Sequence, residues 1–357
     1  MSNFFREAYP FFLRFFFFAL CLAYRFPALC LGQETVYLVS EANPTGWVRL
    51  VGEVVDFTGS RLQIRVSGSV VREVPGKDVL RIETVLRRSH ESGNAAFAAG
   101  KFDEAIRHYQ AARREETRAW VRRQIAAQIV MCYQNLDRFV EAGSEFLTLV
   151  EEDPQTPHFA CIPLSWLVQQ APPDLEVAAQ GWLQQQKNPA AQLLGASHLL
   201  TGREGPAALN QLRLLARGAP EPIRTLALAQ SWRLQLATAD PVEKERWEKL
   251  TESLPTPLRA GPYAVIAQAW EQRAGWDQAA LAWLRVVLLE KKNRPLIARA
   301  LLGAGRAMEQ LARLEEAAEQ YRRIVHEFPD RPETREAQER LESLSKTLSP
   351  TSGGKRG

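Results

Sequence analysis

The chain has 357 residues, 46% hydrophobic and 24% charged, with 21 glycines, 21 prolines and four cysteines. That composition excludes collagen-like, low-complexity and multi-pass membrane classes, and so few cysteines, none spaced CxxC, exclude a disulfide-dense scaffold, a structural zinc site and dithiol redox chemistry. The net charge of +4 sits at the two ends: residues 1–32 carry three Arg against one Glu, Lys355 and Arg356 close the chain, and residues 33–354 are neutral, so global attraction to nucleic acid is not expected.

Arg6 and Arg14 precede an apolar run at 15–24, and the small residues Cys30 and Gly32 stand just before Gln33. Those ten residues make about 15 Å of helix against about 30 Å of hydrocarbon, too short to span. A positive start, a short apolar centre and small residues before a cut read as a secretory signal peptide over 1–32, which places the mature chain in the periplasm or cell envelope. Membrane attachment is expected only if this segment stays uncleaved. Cleavage leaves Cys132 and Cys161; two buried thiols or one disulfide both fit the sequence.

Residues 36–82 have period two. Leu62, Ile64 and Val66 share one face of a strand while Arg61, Gln63 and Arg65 share the other. Further strands are expected at 47–57, with Gly52 as a bulge, at 70–74 and at 79–82, separated by turns at 58–60, 67–69 and 75–78. Four or five short strands in so few residues predict a small SH3-like or Sm-like β-barrel over 33–85.

Beyond residue 86 no alternating stretch recurs, and proline and glycine breakers cut the chain into helix-length segments. Short helices joined by short turns bury their apolar faces by stacking in pairs. Gly93, Gly100, Ala105, Tyr109 and Ala112 form a small-small-small-aromatic-small series. A second series has Tyr133, Phe139, Ala142, Phe146 and Pro154; later ones have Trp270, Trp276, Ala279 and Trp283, then Gly305, Leu314, Ala317, Tyr321 and Pro329. Ala105 to Ala142 is 37 positions and Ala279 to Ala317 is 38. In these residues the chain resembles the tetratricopeptide repeat family. The resemblance implies repeat pairs at 86–155 and 261–331, and Pro332 with the charged residues after it reads as a capping helix at 332–346. Residues 156–260 keep helical periodicity without the signature and are expected to form degenerate or HEAT-like helix pairs; 347–357 is expected to be a flexible tail. The predicted fold is thus a mainly α solenoid preceded by a small all-β barrel and a signal peptide.

No constellation of catalytic or cofactor type assembles. Gly100-Lys101 is followed by Phe102 where a phosphate loop needs Ser or Thr, and Gly303-Ala304-Gly305 leads to Met308 in place of a third glycine. Ser197-His198 is followed by Leu199, not the glycine of a nucleophile elbow, and reads as helix interior. His90, His108, His158, His198 and His326 show no metal-ligand spacing, so no metal, cofactor or enzymatic activity is expected. Arg107, Arg113, Arg114, Arg118, Arg122 and Arg123 against Glu115 and Glu116 read as a solvated face with Glu-Arg pairs.

The resemblance also implies where a partner sits, because in this family the first helix of each unit lines a groove. That places His90, Asn94 and Phe97 in the groove in the first unit, Gln128, Met131 and Gln134 in the second, and Gln268, Glu271, Gln272, Arg299, Arg306, Glu309 and Gln310 in the later pair. Asn94 coincides with an asparagine that some members use to clamp a peptide carboxylate; His90 stands in place of their lysine and Gln128 in place of their second asparagine. A mixed polar lining suits an extended peptide better than a small apolar ligand. The expected function is an exported, non-enzymatic scaffold that binds a protein or peptide partner, with no nucleic acid. The alternative is an envelope enzyme or cell-wall binder with its site at 156–260 or in the β module.

Overall fold

The computed structural model describes residues 33–40 and 46–348. The expected signal peptide at 1–32, and the expected tail from 349 on, lie outside the described residues. The chain divides into two compact units, one of them formed by the β strands and the other by the helices.

The first unit is an antiparallel sheet of β1 (Glu34–Val39), β2 (Trp47–Phe57), β3 (Arg61–Ser67), β4 (Val70–Pro75) and β5 (Val79–Glu83), in the spatial order β4-β3-β2-β1-β5. Val36, Leu38, Val54, Leu62, Ile64 and Val74 are buried, and Val36, Leu38, Val54, Leu62 and Ile64 stand on one face through the registers Val54↔Ile64, Phe57↔Leu62 and Leu38↔Val48. The sheet is not closed into the expected barrel. Closure requires the two edge strands to meet, which alternation does not encode. Here β4 ends in Pro75, which has no N–H for a closing ladder, and β5 is only five residues long. Gly52 is not a bulge either. The register shifts at Val54/Asp56 instead, and Gly52 is required because a Cβ there would stand 2.4 Å from the Arg65 carbonyl oxygen.

The second unit holds fourteen α-helices among the described residues. The first four are α1 (Arg88–Ala98), α2 (Phe102–Glu115), α3 (Ala119–Asn135) and α4 (Phe139–Glu152). After a non-helical stretch come α5 (Pro173–Leu183), α6 (Pro189–Leu199), α7 (Gly205–Gly218), α8 (Ile223–Trp232) and α9 (Pro241–Ser253). The last are α10 (Ala260–Glu271), α11 (Trp276–Leu289), α12 (Arg294–Gln310), α13 (Leu314–Glu327) and α14 (Glu333–Leu348). Neighbours in sequence pack as hairpins, and α6, α8, α10, α12 and α14 also touch in series, so these are the first helices of successive units.

The small residues do what their spacing requires. Ala105, Ala142, Ala279 and Ala317 are fully buried. A Cβ on Gly93 would stand 2.5 Å from the Tyr109 ring and one on Gly305 2.4 Å from the Tyr321 ring, so the same glycine-aromatic crossing recurs at both ends of the array. Four of the hairpin turns are also copies of one another. Gly100, Asp137, Ala274 and Ala312 have φ of 73°, 57°, 54° and 58°, and the N–H of the residue after each reaches back to the carbonyl five residues before it. That is the Schellman stop, which needs a left-handed residue at this point.

Two features depart from a plain stack. Residues 156–172, at the start of the stretch 156–260 expected to form helix pairs, contain only a single 3-10 turn, Phe159–Cys161, before α5. Pro163 and Pro172 oppose a helix there, while Pro173 begins α5 at its first position, and the segment runs extended across the first helices, in the place a first helix of the third unit would take. The array also turns back on itself. Asn135, at the end of α3, donates to the Lys292 carbonyl and accepts from the Arg294 N–H, both at 2.9 Å, and Arg331 pairs with Asp137 at 2.7 Å.

Candidate functional site

In the first two units the inner faces of α1 and α3 are joined by an amide network. His90 Nε2 donates to Gln128 Oε1 at 2.7 Å, Gln128 Nε2 donates to Asn94 Oδ1 at 2.9 Å, and the Tyr109 hydroxyl donates to the same oxygen at 2.9 Å. Burial pushes the His90 pKa down against the pull of Gln128 and Glu116, so its ring is neutral. Phe97 packs edge-on against Phe102 with ring centroids 5.3 Å apart. A cavity of about 200 Å³ opens here, lined by Asn94, Phe97, Tyr109, Gln128, Met131 and Lys292. The first-unit candidates and the start of the second are therefore brought together. Sequence reasoning missed Lys292, which reaches the cavity from the turn between α11 and α12 because the array closes on itself.

Gln134 and Gln268 are placed differently. Gln134 Nε2 donates to the Cys161 carbonyl at 2.6 Å, and Gln268 Nε2 donates to the Trp166 carbonyl at 3.0 Å. Between them His198 donates from Nε2 to the Pro163 carbonyl at 2.8 Å, and the Ser165 N–H donates to Ser197 Oγ at 2.8 Å. Arg233, at the end of α8, donates to the Leu167 and Ser197 carbonyls, both at 2.7 Å; burial brings its pKa down to about 10. The Thr201 hydroxyl takes the Gln169 carbonyl at 2.5 Å. Burial between Phe139 and Trp182 pushes His198 down to about 4, so it is a neutral donor. Ser197-His198 is indeed helix interior, but its side chains serve the extended segment. No period in the sequence signals this, because the partners are carbonyls of residues that have no regular structure.

The later candidates form a separate cluster. Glu271 accepts from the Trp283 indole at 2.8 Å, and burial raises its pKa against that bond and against Arg299 and Arg306. Gln272 caps the end of α10, its N–H bonded to the Gln268 carbonyl. Arg306 pairs with Glu336 of α14, and Glu309 with Arg340 at 2.6 Å. Glu309 and Gln310 line a cleft of about 850 Å³ with Leu314, Pro332, Arg335, Glu336, Glu339, Arg340, Ser343 and Leu344. In the arginine run, Arg113 pairs with Glu145 and Arg118 with Glu116 at 2.8 Å; burial would raise the Glu116 pKa, but the Arg118 bonds hold it below the usual range.

Cys132 and Cys161 are both buried free thiols, and burial pushes each up to about 12. Among the described residues no three His, Cys, Asp or Glu side chains converge on a point where an ion could be held. No helix among them is long and apolar enough to cross a membrane.

The family model for the tetratricopeptide repeat matches residues 299–331, which are most of α12, all of α13 and the turn after it. No curated protein matches the chain. Among solved structures, the chain is similar to the C-terminal part of a repeat-containing protein of this type from Cytophaga hutchinsonii, at 13% identity and a TM-score of 0.26, over 73% of this chain and 96% of that one. It is also similar to the TPR2AB domain of yeast Sti1 in its complex with pHSP90, at 15% identity and a TM-score of 0.23, over 72% and 97%. A third is the assembly chaperone of RpL4, at 15% identity and a TM-score of 0.28, over 73% and 98%.

Proposed function

We propose that this chain, which carries tetratricopeptide repeats, is an exported scaffold of the cell envelope that holds a protein partner by an extended segment in the groove of its first two units. Repeats of this type support protein–protein interaction, and the observation that carries the particular reading is the front cavity. Phe97 and Met131 supply apolar surface there, while Asn94, Gln128 and Lys292 supply donors. The Asn94 amide nitrogen makes no hydrogen bond among the described residues, and Lys292 brings a cation to the same cavity, so the cavity suits a partner group rich in acceptors, such as a carboxylate. The later cluster, from Glu271 to Gln310, is a second contact region, with the ion pairs of Arg306 and Glu309 framing its cleft. Export rests on the sequence at 1–32, and cleavage before Gln33 is the expected processing.

The test has two parts. N-terminal sequencing of the envelope fraction should begin at Gln33; an intact N-terminus in the cytosol removes the export reading. A photo-crosslinker at position 97 should trap one partner, and Met131→Glu should abolish the trapping while the helical circular dichroism is kept. Equal trapping by the wild-type and Met131→Glu chains would show that the partner does not use this cavity.

A further inference from the structure

The mid-array groove is occupied by the chain itself, and it is held as a bound peptide would be held. Residues 162–169 form neither helix nor strand, and apart from the Leu164 N–H on the Ile162 carbonyl and Ser165 Oγ on the Leu167 carbonyl they make no bonds of their own to their carbonyls. The other carbonyl partners come from Ser197, His198, Thr201, Arg233 and Gln268, which lie on or just beyond three first helices. The groove therefore reads main chain, which tolerates many side chains. One position is read by shape. A Cβ on Gly261 would stand 2.0 Å from Trp166, so the indole occupies a notch that only glycine leaves open.

Two observations set this segment apart from permanent core. Ile162 and Leu164 pack into the apolar core, but the groups that hold the main chain are polar side chains of the first helices, and Arg233 is buried against carbonyls with no carboxylate beside it. A closed interior is held as well or better by apolar groups, which have no desolvation cost. Polar groups are satisfied by a peptide main chain or by water alike. The segment also grades from buried at 161–165 through half-buried Trp166 and Leu167 to exposed Val168 and Gln169, so the end that leads toward α5 is the exposed one from which it would peel.

We propose that residues 162–169 are a tethered ligand of the mid-array groove, and that this groove binds an extended partner segment carrying a tryptophan flanked by aliphatic residues, which displaces the tether. The proposal rests on the scaffold reading but concerns a different stretch of the array. It makes the mid-groove a site that a partner opens, whereas the front cavity stands open already.

The probe is a fluorescein-labelled synthetic peptide with the sequence of residues 159–170, titrated into the full chain by anisotropy. Trp166→Ala empties the notch, so this variant should bind the peptide at least ten times more tightly than the wild-type chain, and adding Gly261→Leu should return binding to the wild-type level. Equal affinity in the wild-type and Trp166→Ala chains, with helical circular dichroism kept, overturns the proposal. Should Trp166→Ala lose its helical signal, amide exchange of the wild-type chain decides. Ile162, Leu164 and Ser165 exchanging at least ten times faster than the amides of α6 and α10 supports a tether, and exchange in step with those helices overturns it. None of these readouts uses Phe97 or Met131, so a failure here leaves the front cavity untouched, and a failed crosslink there leaves the tether standing.

Discussion

Gly303→Ala and Gly181→Ala are the same chemical change inside an α-helix, and they are expected to move stability in opposite directions. At Gly181, in α5, nothing lies within 4 Å of the added Cβ, so only the helix propensity changes and alanine stabilises by about 1 kcal/mol. At Gly303, in α12, the new Cβ would stand 2.4 Å from the Trp283 Nε1 and 2.5 Å from its Cε2, where ordinary contact begins near 3.4 Å. The indole must retreat by about 1 Å, an overpacking that costs about 1–3 kcal/mol. It cannot do so freely, because it is fully buried and its N–H is bonded to Glu271 at 2.8 Å. Stretching that bond adds about 1 kcal/mol. Set against the same propensity gain, the net loss is about 2 kcal/mol. For an array of this length each kcal/mol moves the melting temperature by about 2–4 °C, so Gly303→Ala should lower it by about 4–8 °C and Gly181→Ala should raise it by about 2–4 °C. Calorimetry on both variants checks this. A shift of the same sign in both would refute the assigned crossing of α11 and α12.

Acid should weaken the array. His198 and His158 are held neutral, with pKa values pushed down to about 4 by burial, whereas an unfolded histidine titrates near 6.5. Protonation favours the unfolded chain, so stability is full above about pH 6.5 and falls as the pH drops from there to about 4, by up to about 3 kcal/mol for His198. His198→Gln should flatten that slope in melts at pH 7 and pH 4.5, and an unchanged slope would remove His198 as its cause. At the hairpin turns, Ala274→Gly and Ala312→Gly should each stabilise by about 1 kcal/mol, since both alanines have left-handed φ, and Gly100→Ala should destabilise by a similar amount. Urea midpoints would contradict the common turn geometry if Ala312→Gly lowered the midpoint.

The repeat was legible because it obeys a local rule. Gly93 and Tyr109, or Gly305 and Tyr321, are sixteen positions apart in each hairpin, and the steric need for a missing Cβ opposite a ring is written into residue size. The strands were legible for the same reason, through alternation at Leu62, Ile64 and Val66. What failed depends on groups far apart in sequence. Closure of the sheet turns on whether β4 meets β5, and the front cavity acquires Lys292 from a turn more than 150 positions after Asn135. The extended segment at 162–169 escaped notice because its apolar residues and flanking prolines resemble a poor helix. Its partners, Ser197, His198 and Arg233, are common polar residues with no spacing of their own.

The bonds from Asn135 to Lys292 and Arg294, with Arg331 on Asp137, make a rod into a hoop. An open stack of hairpins can unravel from either tip, each unit lost at the expense of one interface. Here the second hairpin cannot swing outward without also freeing the turn ahead of α12, so fraying of the front is coupled to the rear. Heat or denaturant should therefore take the helices apart in one concerted step, and a ligand seated near Lys292 would tighten both halves at once.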